Sequence, residues 1–382
     1  MNSWRHAMGT VFGPTVYILG AGASVHSGAP LLGDFLAASR HVYHSGTPET
    51  VAHYHEMAEF FGHLDGMRSV AYYVDSDFDN LEEVFSLLEM GKQLGDNQSV
   101  DQIARLRWSI YETLDATTRV RMKEGKQIPD SVYMEFVNQF KKLNEERRTR
   151  ARTPSLGTVS DTIVTFNYDV LLDHALEAGQ VPVTYGLLPD REDGVQLLKL
   201  HGSLNWGVCT DCNGAPQIVS PSSDAWIGTP RLDPLPGANI ELRLATKILP
   251  GTKCRQCGRT DRLEPVMVPP TWSKLIAGSP LVPVWTHAVE ALKTAYQVII
   301  VGYSMPTTDT FLRYLFALGL RANPWFSRVV VVNPDKSAGF RSRYEAVFGR
   351  ALGSRGKLIF VDQVNFEDFV SKGEMGRIGR NM

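Results

Sequence analysis

Four cysteines carry the clearest chemical signal in this sequence. They form two Cys-x-x-Cys pairs, Cys209/Cys212 and Cys254/Cys257, and no cysteine is left over. Four thiolates in two such pairs are the ligand set of a tetrahedral Zn²⁺ site, and a site with all four positions filled has a structural role. Two redox pairs are the alternative, but neither pair stands where a strand leads into a helix. The sequence therefore predicts a structural zinc site.

A second set of polar residues follows short apolar runs of strand character. Asn167, His201, Ser304 and Asn333 each come directly after or close behind such a run. The carboxyl ends of parallel strands meet at one edge of an open α/β sheet, where ligands bind. We therefore expect these four side chains to line one crevice.

A glycine turn follows the first apolar run, at 15–19, and reads Gly20-Ala21-Gly22. Glycines let the backbone approach a phosphate closely, and a helix behind them would point its N–H groups at the anion. The spacing departs from the dinucleotide-binding G-x-G-x-x-G because Val25 stands at the third glycine position. Taken alone, the turn is equally compatible with a structural role.

Six apolar runs have the character of strands that are buried on both faces. Separated by helical stretches, they predict an α/β fold with a doubly wound, Rossmann-like parallel sheet. The runs lie at 15–19, 162–166, 197–200, 297–301, 328–332 and 357–361. Ahead of a further apolar run at 311–320, Thr308 or Asp309 is expected to cap a helix.

Composition shifts divide the chain into four parts. The sheet-forming core is expected at 13–33, 155–206 and 271–365, and a helical insertion at 34–154, where Leu81, Val84, Phe85 and Leu88 mark an amphipathic face. A zinc-ribbon module, rich in Gly, Pro, Ser and Asp, occupies 207–270. The segment 366–382 is predicted to be a C-terminal tail, and its last part, 371–382, is expected to be loosely held.

A basic run closes the helical insertion. It comprises Arg147, Arg148, Arg150 and Arg152. We interpret the run as a solvated helix end, where the helix dipole favours positive charge. A patch that binds a partner is the alternative.

Bulk composition argues against several classes of protein. The chain has 382 residues, 43% of them hydrophobic, and its 39 Lys and Arg against 41 Asp and Glu give a net charge of −2. This balance is globular and lacks the basic excess that drives nucleic-acid binding. Neither a bilayer-spanning apolar run nor a signal-peptide core is found. We therefore expect a cytoplasmic protein that binds neither membranes nor nucleic acid directly.

The order of these motifs resembles the sirtuin (SIR2) family over roughly 17–335, apart from the helical insertion. Gly20-Ala21-Gly22-Ala23-Ser24 with Gly28-Ala29-Pro30 is similar to the family's GAGxS…GxP loop, and Thr165-Phe166-Asn167-Tyr168-Asp169 to TQNxD. His201-Gly202 resembles the catalytic HG, and the paired cysteines the zinc ribbon. Gly302-Tyr303-Ser304 resembles the GTS turn, and Asn333-Pro334-Asp335 the segment that binds a nucleotide ribose.

The resemblance implies an NAD⁺ site. Asn167 would hold the nicotinamide ribose and the attacking water, and His201 would accept a proton from water or a ribose hydroxyl. Asp169 would either orient one of these groups or only cap the next helix. The remaining contacts to the nucleotide are expected from Gly20, Ala21, Gly22, Ser24, Pro30, Gly302, Tyr303, Ser304, Asn333 and Asp335.

Departures from the protein-deacylating sirtuins narrow the expected activity. The stretch at 265–272 lacks the Phe-Gly-Glu strand that helps hold the acyl-lysine peptide, and Leu31-Leu32-Gly33-Asp34-Phe35 replaces Asp-Phe-Arg. The motifs look instead like SIR2-like proteins of bacterial anti-phage defence. This implies an NAD⁺ glycohydrolase that forms nicotinamide and ADP-ribose and depletes NAD⁺ in abortive infection. An NAD⁺-dependent deacylase and a non-catalytic NAD⁺ or ADP-ribose sensor are the alternatives.

The resemblance also bears on control. A constantly active NAD⁺ hydrolase would kill its own cell, so activity must depend on a signal. By analogy with the defence proteins, we expect a homo-oligomer controlled by a HerA-like ATPase or a phage-derived activator. The motifs do not distinguish NAD⁺ from NADP⁺.

Overall fold

The computed structural model describes residues 13–70, 77–123, 126–150, 161–187, 194–212, 216–218, 240–243, 252–260, 262–268, 279–307, 309–353 and 356–380. Its strands are β1 (Thr15–Leu19), β2 (Arg119–Lys123), β3 (Lys126–Ile128), β4 (Thr162–Thr165), β5 (Val183–Thr184), β6 (Val195–Lys199), β7 (Gly202–Cys209), β8 (Gln217–Ile218), β9 (Ile240–Arg243), β10 (Leu263–Met267), β11 (Gln297–Val301), β12 (Arg328–Asn333) and β13 (Leu358–Asp362). Its helices are α1 (Phe35–Ser45), α2 (Tyr54–Val70), α3 (Leu81–Gln93), α4 (Asn97–Thr117), α5 (Ser131–Arg150), α6 (Leu171–Ala178), α7 (Val282–Thr294), α8 (Thr310–Leu320), α9 (Ala338–Gly353), α10 (Phe366–Ser371) and α11 (Glu374–Gly379).

The central sheet has seven parallel strands in the order β13-β12-β11-β1-β4-β6-β5. All six predicted apolar runs are strands of this sheet, which confirms the α/β prediction. The edge strand β5 was not predicted because it is only two residues long. Strand order reverses between β1 and β11, and such a switch point is where open α/β sheets form a ligand crevice.

Both faces of the sheet are covered. Because side chains alternate along a strand, Tyr17 and Leu19 of β1 point to one face and Val16 and Ile18 to the other. Tyr17 and Leu19 belong to a buried cluster with α1–α6, α10 and α11, whereas Val16 and Ile18 pack with α7–α9. The helices of the predicted insertion therefore share their core with the sheet.

Two three-stranded sheets accompany the central one. Strands β10-β7-β8 form an antiparallel sheet in the predicted zinc module, and β3-β2-β9 form the other. Across the described ranges, no helix is both long and apolar enough to cross a membrane.

The interpretation of Arg147 as part of a solvated helix end is wrong. This side chain is 3% exposed and forms a buried ion pair with Asp161, just before β4. Asp161 also accepts a hydrogen bond from the backbone N–H of Thr15, at 2.8 Å. The side chains of Arg148, Arg150 and Arg152 lie outside the described part of the chain. The burial of Arg147 joins α5 to the start of two central strands.

The C-terminal segment is also packed more firmly than predicted. Helices α10 and α11 bury Phe366, Phe369, Val370, Met375 and Ile378. Arg147 donates to the carbonyl oxygen of Gly379 at 2.7 Å, and Arg328 to that of Ile378 at 3.0 Å. The expectation of a loosely held segment is therefore wrong for residues 371–380, because the apolar side chains of α10 and α11 complete the core beside α5.

Candidate active site

A cavity of about 560 Å³ lies at the carboxyl edge of the central sheet. Its walls come from the segments that follow β1, β4, β6, β11 and β12, and from α3 and α10. The structure brings all the predicted catalytic and nucleotide-binding residues to this cavity except Gly20. Those that line it are Asn167, Asp169, His201, Ala21, Gly22, Ser24, Pro30, Gly302, Tyr303, Ser304, Asn333 and Asp335.

Ser24 is the centre of a buried hydrogen-bond network. Its hydroxyl donates to Oδ2 of Asp169 at 2.7 Å and accepts from Nδ2 of Asn167 at 3.0 Å. The hydroxyl of Tyr133 on α5 lies 2.8 Å from the same oxygen. Since the single Ser24 proton goes to Asp169, Tyr133 donates to Ser24. The network fixes the side-chain amide of Asn167 at the cavity wall.

The Asp169 carboxylate contacts Ser24 and the start of α6, whose N-cap is Val170. One carboxylate oxygen accepts from Ser24, and the other accepts from the N–H of Leu171 in the first turn of α6, at 3.1 Å. Burial raises the pKa of Asp169 above its ordinary value, and the positive charge of Lys199 opposes this shift. Lys199 donates to the Asp169 carbonyl oxygen at 2.6 Å and pairs with Asp173 at 3.0 Å.

His201 follows β6 and is 5% exposed. Its ring lies 5.1 Å from the ring of Phe166 and 5.9 Å from that of Tyr168, measured between centroids. Its carbonyl oxygen accepts from the N–H of Val268 at 2.8 Å. These contacts place the imidazole in a water-poor, aromatic part of the cavity.

The residue after His201 must be glycine. Gly202 has φ +88°, and a Cβ there would lie 1.9 Å from the carbonyl oxygen of Val266. Side chains other than glycine rarely adopt such a φ, and β10 passes too close for one. The tight pairing of β7 with β10 therefore sets the position of the histidine.

The glycines of the turn after β1 allow this turn to pack closely against Gly302. A Cβ on Gly22 would lie 2.8 Å from Cα of Gly302, and one on Gly20 2.6 Å from the Gly302 carbonyl oxygen. The N–H groups of Gly20, Gly22 and Ala23 donate to backbone carbonyls, and short 3-10 turns follow instead of an α-helix. The prediction that a helix here points its N–H groups at an anion is therefore wrong, because the next α-helix begins only at Phe35.

Tyr303 supports the side of the cavity formed by β11. Its ring stacks on Phe166 with centroids 4.7 Å apart, and its hydroxyl donates to Oδ2 of Asp309 at 2.5 Å. Asp309 also accepts from the N–H of Leu312 at 3.2 Å. This contact confirms Asp309 as the N-cap of α8, and Thr308 lies outside the described residues.

The rim of the cavity that follows β11 and β12 is formed by Ser304, Asn333 and Asp335. Asn333 Nδ2 donates to the carbonyl oxygen of Tyr303 at 3.2 Å, and its Oδ1 accepts from the N–H of Asp335 at 3.0 Å. Ser304 and Asp335 are exposed at the surface. Their hydroxyl and carboxylate can therefore reach the outer part of a bound molecule.

Sequence reasoning missed several residues of this site. Tyr133 and Glu82 come from helices of the predicted insertion, and Asn365 and Phe366 from the C-terminal segment. Glu82 follows the N-cap Asn80, whose Oδ1 accepts from the Glu82 N–H at 2.9 Å. The pattern Asn80-Leu81-Glu82 is typical of a helix start, but it does not reveal which cavity the helix faces.

The four cysteine sulfurs form one cluster, all within 4.8 Å of one another. Sγ of Cys209 lies 3.8 Å from that of Cys257, and Sγ of Cys212 lies 3.9 Å from that of Cys254. Four sulfurs at about 2.3 Å around a tetrahedral zinc ion stand about 3.8 Å apart, so the cluster fits Zn²⁺. An ion bound by all four sulfurs would have no open coordination position, so its role would be structural.

No family profile and no curated protein matches the chain. Solved structures do match. A SIR2 homologue in complex with NAD is 18% identical, with 96% of this chain and 89% of that chain covered and a TM-score of 0.41. A mutant Sir2 homologue in complex with 2′-O-acetyl ADP ribose is 16% identical, with coverage of 96% and 91% and a TM-score of 0.42. A Sir2 enzyme from work on mechanism and regulation is 15% identical, with coverage of 97% and 95% and a TM-score of 0.41.

Proposed function

We propose that this chain is an NAD⁺ glycohydrolase that cleaves the nicotinamide–ribose bond to give nicotinamide and ADP-ribose. The observation that carries the proposal is the placement of Asn167 and His201 on the wall of one cavity of about 560 Å³. A volume of this size lies within the range that is usual for small-molecule and cofactor sites. The sirtuin-like motifs supply the identity of the nucleotide.

The reaction passes through a ribosyl cation with oxocarbenium character, which water then attacks. Asn167, fixed by its bond to Ser24, binds the nicotinamide ribose and orients that water. His201 takes the proton from water or from a ribose hydroxyl. The surrounding rings of Phe166, Tyr168 and Tyr303 keep bulk water from the reacting carbon.

Asp169 acts through its neighbours in this scheme. Its carboxylate holds Ser24 and the first turn of α6, so it is a positioning residue for Asn167. The outer nucleotide contacts fall to Ala21, Gly22, Pro30 and the rim formed by Ser304, Asn333 and Asp335. Gly20 contributes through packing on Gly302.

A zinc ion held by the four cysteines would supply only rigidity in this mechanism. Cys209 ends β7, and Leu263 of β10 pairs with Cys209 in the antiparallel register. One residue beyond β10, the N–H of Val268 donates to the carbonyl oxygen of His201. The zinc module would therefore fix β10, and β10 in turn would fix the backbone of His201 through Val268.

Val268 also argues for hydrolysis over protein deacylation. Its N–H donates to His201, and its carbonyl oxygen accepts from the hydroxyl of Tyr168 at 2.8 Å. Both backbone groups of Val268 therefore have partners within the chain, in the stretch 265–272 that lacks the Phe-Gly-Glu strand of the protein-deacylating sirtuins. Residues 269–272, the remainder of that stretch, lie outside the described part of the chain.

We propose anti-phage defence by NAD⁺ depletion as the biological role, on the resemblance of the motifs alone. Within that proposal the chain forms a homo-oligomer and is switched on by a HerA-like ATPase or a phage-derived activator. The switch is required because uncontrolled hydrolysis would exhaust the cell's own NAD⁺.

The test is NAD⁺ consumption with chromatographic separation of products, across protein concentrations and with and without an acetyl-lysine peptide. We expect peptide-independent ADP-ribose that Asn167→Ala and His201→Asn abolish. His174→Asn is the matched control, since His174 is a buried histidine that does not line the cavity.

Other products would favour the alternatives. O-acetyl-ADP-ribose that appears only with peptide would indicate a deacylase. Tight NAD⁺ binding without turnover in the presence of candidate activators would indicate a sensor.

A further inference from the structure

Helix α3 carries an exposed apolar line on the side that faces away from the core. Leu87, Met90 and Leu94, which directly follows the last residue of the helix, are between 44% and 78% exposed. Successive members are three or four residues apart, so they share one side of the helix with the exposed Glu83. These four residues are called the α3 stripe. Single exposed apolar residues are common, but a continuous group of them marks an interaction site.

Helix α8 carries a second line of this kind. Tyr314 is 59% exposed and Leu318 is 49% exposed. Both share one side of the helix with the half-buried Phe311 and the exposed Arg321. These four residues are called the α8 stripe. Tyrosine and arginine are enriched among the residues that contribute most to binding at protein interfaces.

The two stripes lie in surroundings of opposite charge. Residues 77–101, which include α3, contain seven acidic residues and one basic residue. Residues 310–334, which include α8, contain three arginines and no acidic residue. Opposite charges favour contact between the α3 stripe and the α8 stripe, whereas like charges disfavour contact of either stripe with its own copy.

The spacing of the two stripes also matches. When the helices run antiparallel with Glu83 opposite Arg321, each apolar residue of one stripe meets an apolar residue of the other. The pairs are Leu87 with Leu318, Met90 with Tyr314, and Leu94 with Phe311. At the rise of an α-helix, the positions within each pair agree to about 1.5 Å along the helix axis.

The stripes belong to opposite sides of the central sheet. The buried side of α3 packs into the cluster that contains Tyr17, and that of α8 packs into the cluster that contains Val16. The two stripes therefore face away from each other within one chain. We propose that the α3 stripe of one chain binds the α8 stripe of a second copy of this chain. Such a contact repeats head to tail and forms a ring or a filament.

Both helices also reach the cavity. Leu81 of α3 and Asp309, the N-cap of α8, line it. Contact with neighbouring copies therefore holds two walls of the cavity in place, and NAD⁺ cleavage per chain should rise as chains assemble. This consequence rests on the proposed function, whereas the contact itself does not.

Sedimentation velocity of the full chain without nucleotide, across a range of protein concentrations, measures the assembly. Met90→Asp alters the α3 stripe, and Tyr314→Asp alters the α8 stripe, each at an exposed position. Val282→Asp is the matched control, because Val282 is an exposed apolar residue of α7 that belongs to neither stripe. Thermal unfolding of each variant verifies the fold.

We expect the mass to rise with concentration for the unaltered chain and for Val282→Asp. Met90→Asp and Tyr314→Asp should each associate at least about tenfold more weakly. A mixture of these two variants should form pairs and nothing larger, because only one combination of intact stripes is left. Glu83→Arg should weaken assembly, and Arg321→Glu in the same chain should restore it.

Three results would overturn the proposal: single chains at every concentration, full assembly of either stripe variant alone, or a mixture of the two variants that does not form pairs. Assembly without NAD⁺ cleavage would contradict the proposed function and support the contact. Cleavage per chain that stays constant while chains assemble would overturn the link between the contact and the cavity.

Discussion

The side-chain amide of Asn167 donates a hydrogen bond of 3.0 Å to the hydroxyl of Ser24, which links the carboxyl ends of β4 and β1. Ser24 is held in turn by Asp169 and Tyr133. The orientation of Asn167 therefore depends on a helix that lies far from it in sequence.

Tyr133→Phe tests this dependence, because it removes one hydroxyl and keeps the ring. We expect kcat for NAD⁺ cleavage to fall about fivefold with KM within about twofold, since a lost hydrogen bond of about 1 kcal/mol loosens Asn167 and leaves the outer contacts intact. Steady-state kinetics measure both constants. Tyr43→Phe, on α1 and outside the cavity lining, is the control; an equal loss of activity there would contradict the prediction.

Asp169→Asn should change how stability depends on pH. Burial raises the folded-state pKa of Asp169 above 3.8, so the folded protein binds a proton more readily than the unfolded chain. This contribution to stability is present below the unfolded value and is lost as pH rises through the folded one. The Tm of wild type relative to Asp169→Asn should therefore fall from pH 4 upwards. A constant difference in thermal scans from pH 4 to 8 would refute the assignment.

Gly202→Ala should be among the most damaging single changes. The new Cβ meets the carbonyl oxygen of Val266 at 1.9 Å, and φ +88° is unfavourable for alanine. We expect a loss of about 2–4 kcal/mol in the free energy of unfolding, measured in urea. Gly62→Ala is the control: it lies within α2 with nothing near its Cβ, and should stabilise by about 0.5–1 kcal/mol.

Cys254→Ser should remove the metal. We expect one zinc per chain in the purified protein and less than a tenth of that in the variant, by metal analysis, with lower Tm and lost NAD⁺ cleavage. Activity falls because β10 no longer fixes Val268 against His201. Asp211→Asn, which removes a partner of Arg259 beside the cluster, should keep its zinc. Full metal content in Cys254→Ser would rule out the four-cysteine site.

Arg147→Met should lower the free energy of unfolding by more than a substitution in an exposed basic run would. Removing Arg147 leaves Asp161 buried without its ion-pair partner, and breaking such a pair costs about 3–5 kcal/mol. Arg380→Met breaks an exposed pair with Glu146 and should cost about 1 kcal/mol or less. Chemical denaturation measures both. Equal effects would show that burial of the first pair has no energetic consequence.

The sequence pattern predicts those residues of the site that directly follow a strand. Asn167, His201 and Asn333 follow apolar runs, and parallel strands necessarily bring their carboxyl ends to one edge. Side chains on helices were not predictable in this way. Tyr133 reaches Ser24, and Glu82 lines the cavity, through the packing of α5 and α3 on the sheet, which no local pattern encodes.

Two errors have different origins. The basic run around Arg147 gave no sign of Asp161, because the ion pair forms between segments that meet only in the folded chain. The glycines near the C-terminus masked the spacing of Phe366, Phe369 and Val370, which is that of a buried helix face. That spacing is sufficient to predict α10.

The cavity is assembled from residues as far apart in sequence as Ala21 and Phe366. A chain whose synthesis stops before Phe366 would therefore lack one wall of the cavity and the helices that bind Arg147 through Gly379. Truncated chains of this kind should therefore not catalyse the proposed cleavage of NAD⁺. The same arrangement favours late assembly of the site during folding, since contacts between distant segments form slowly.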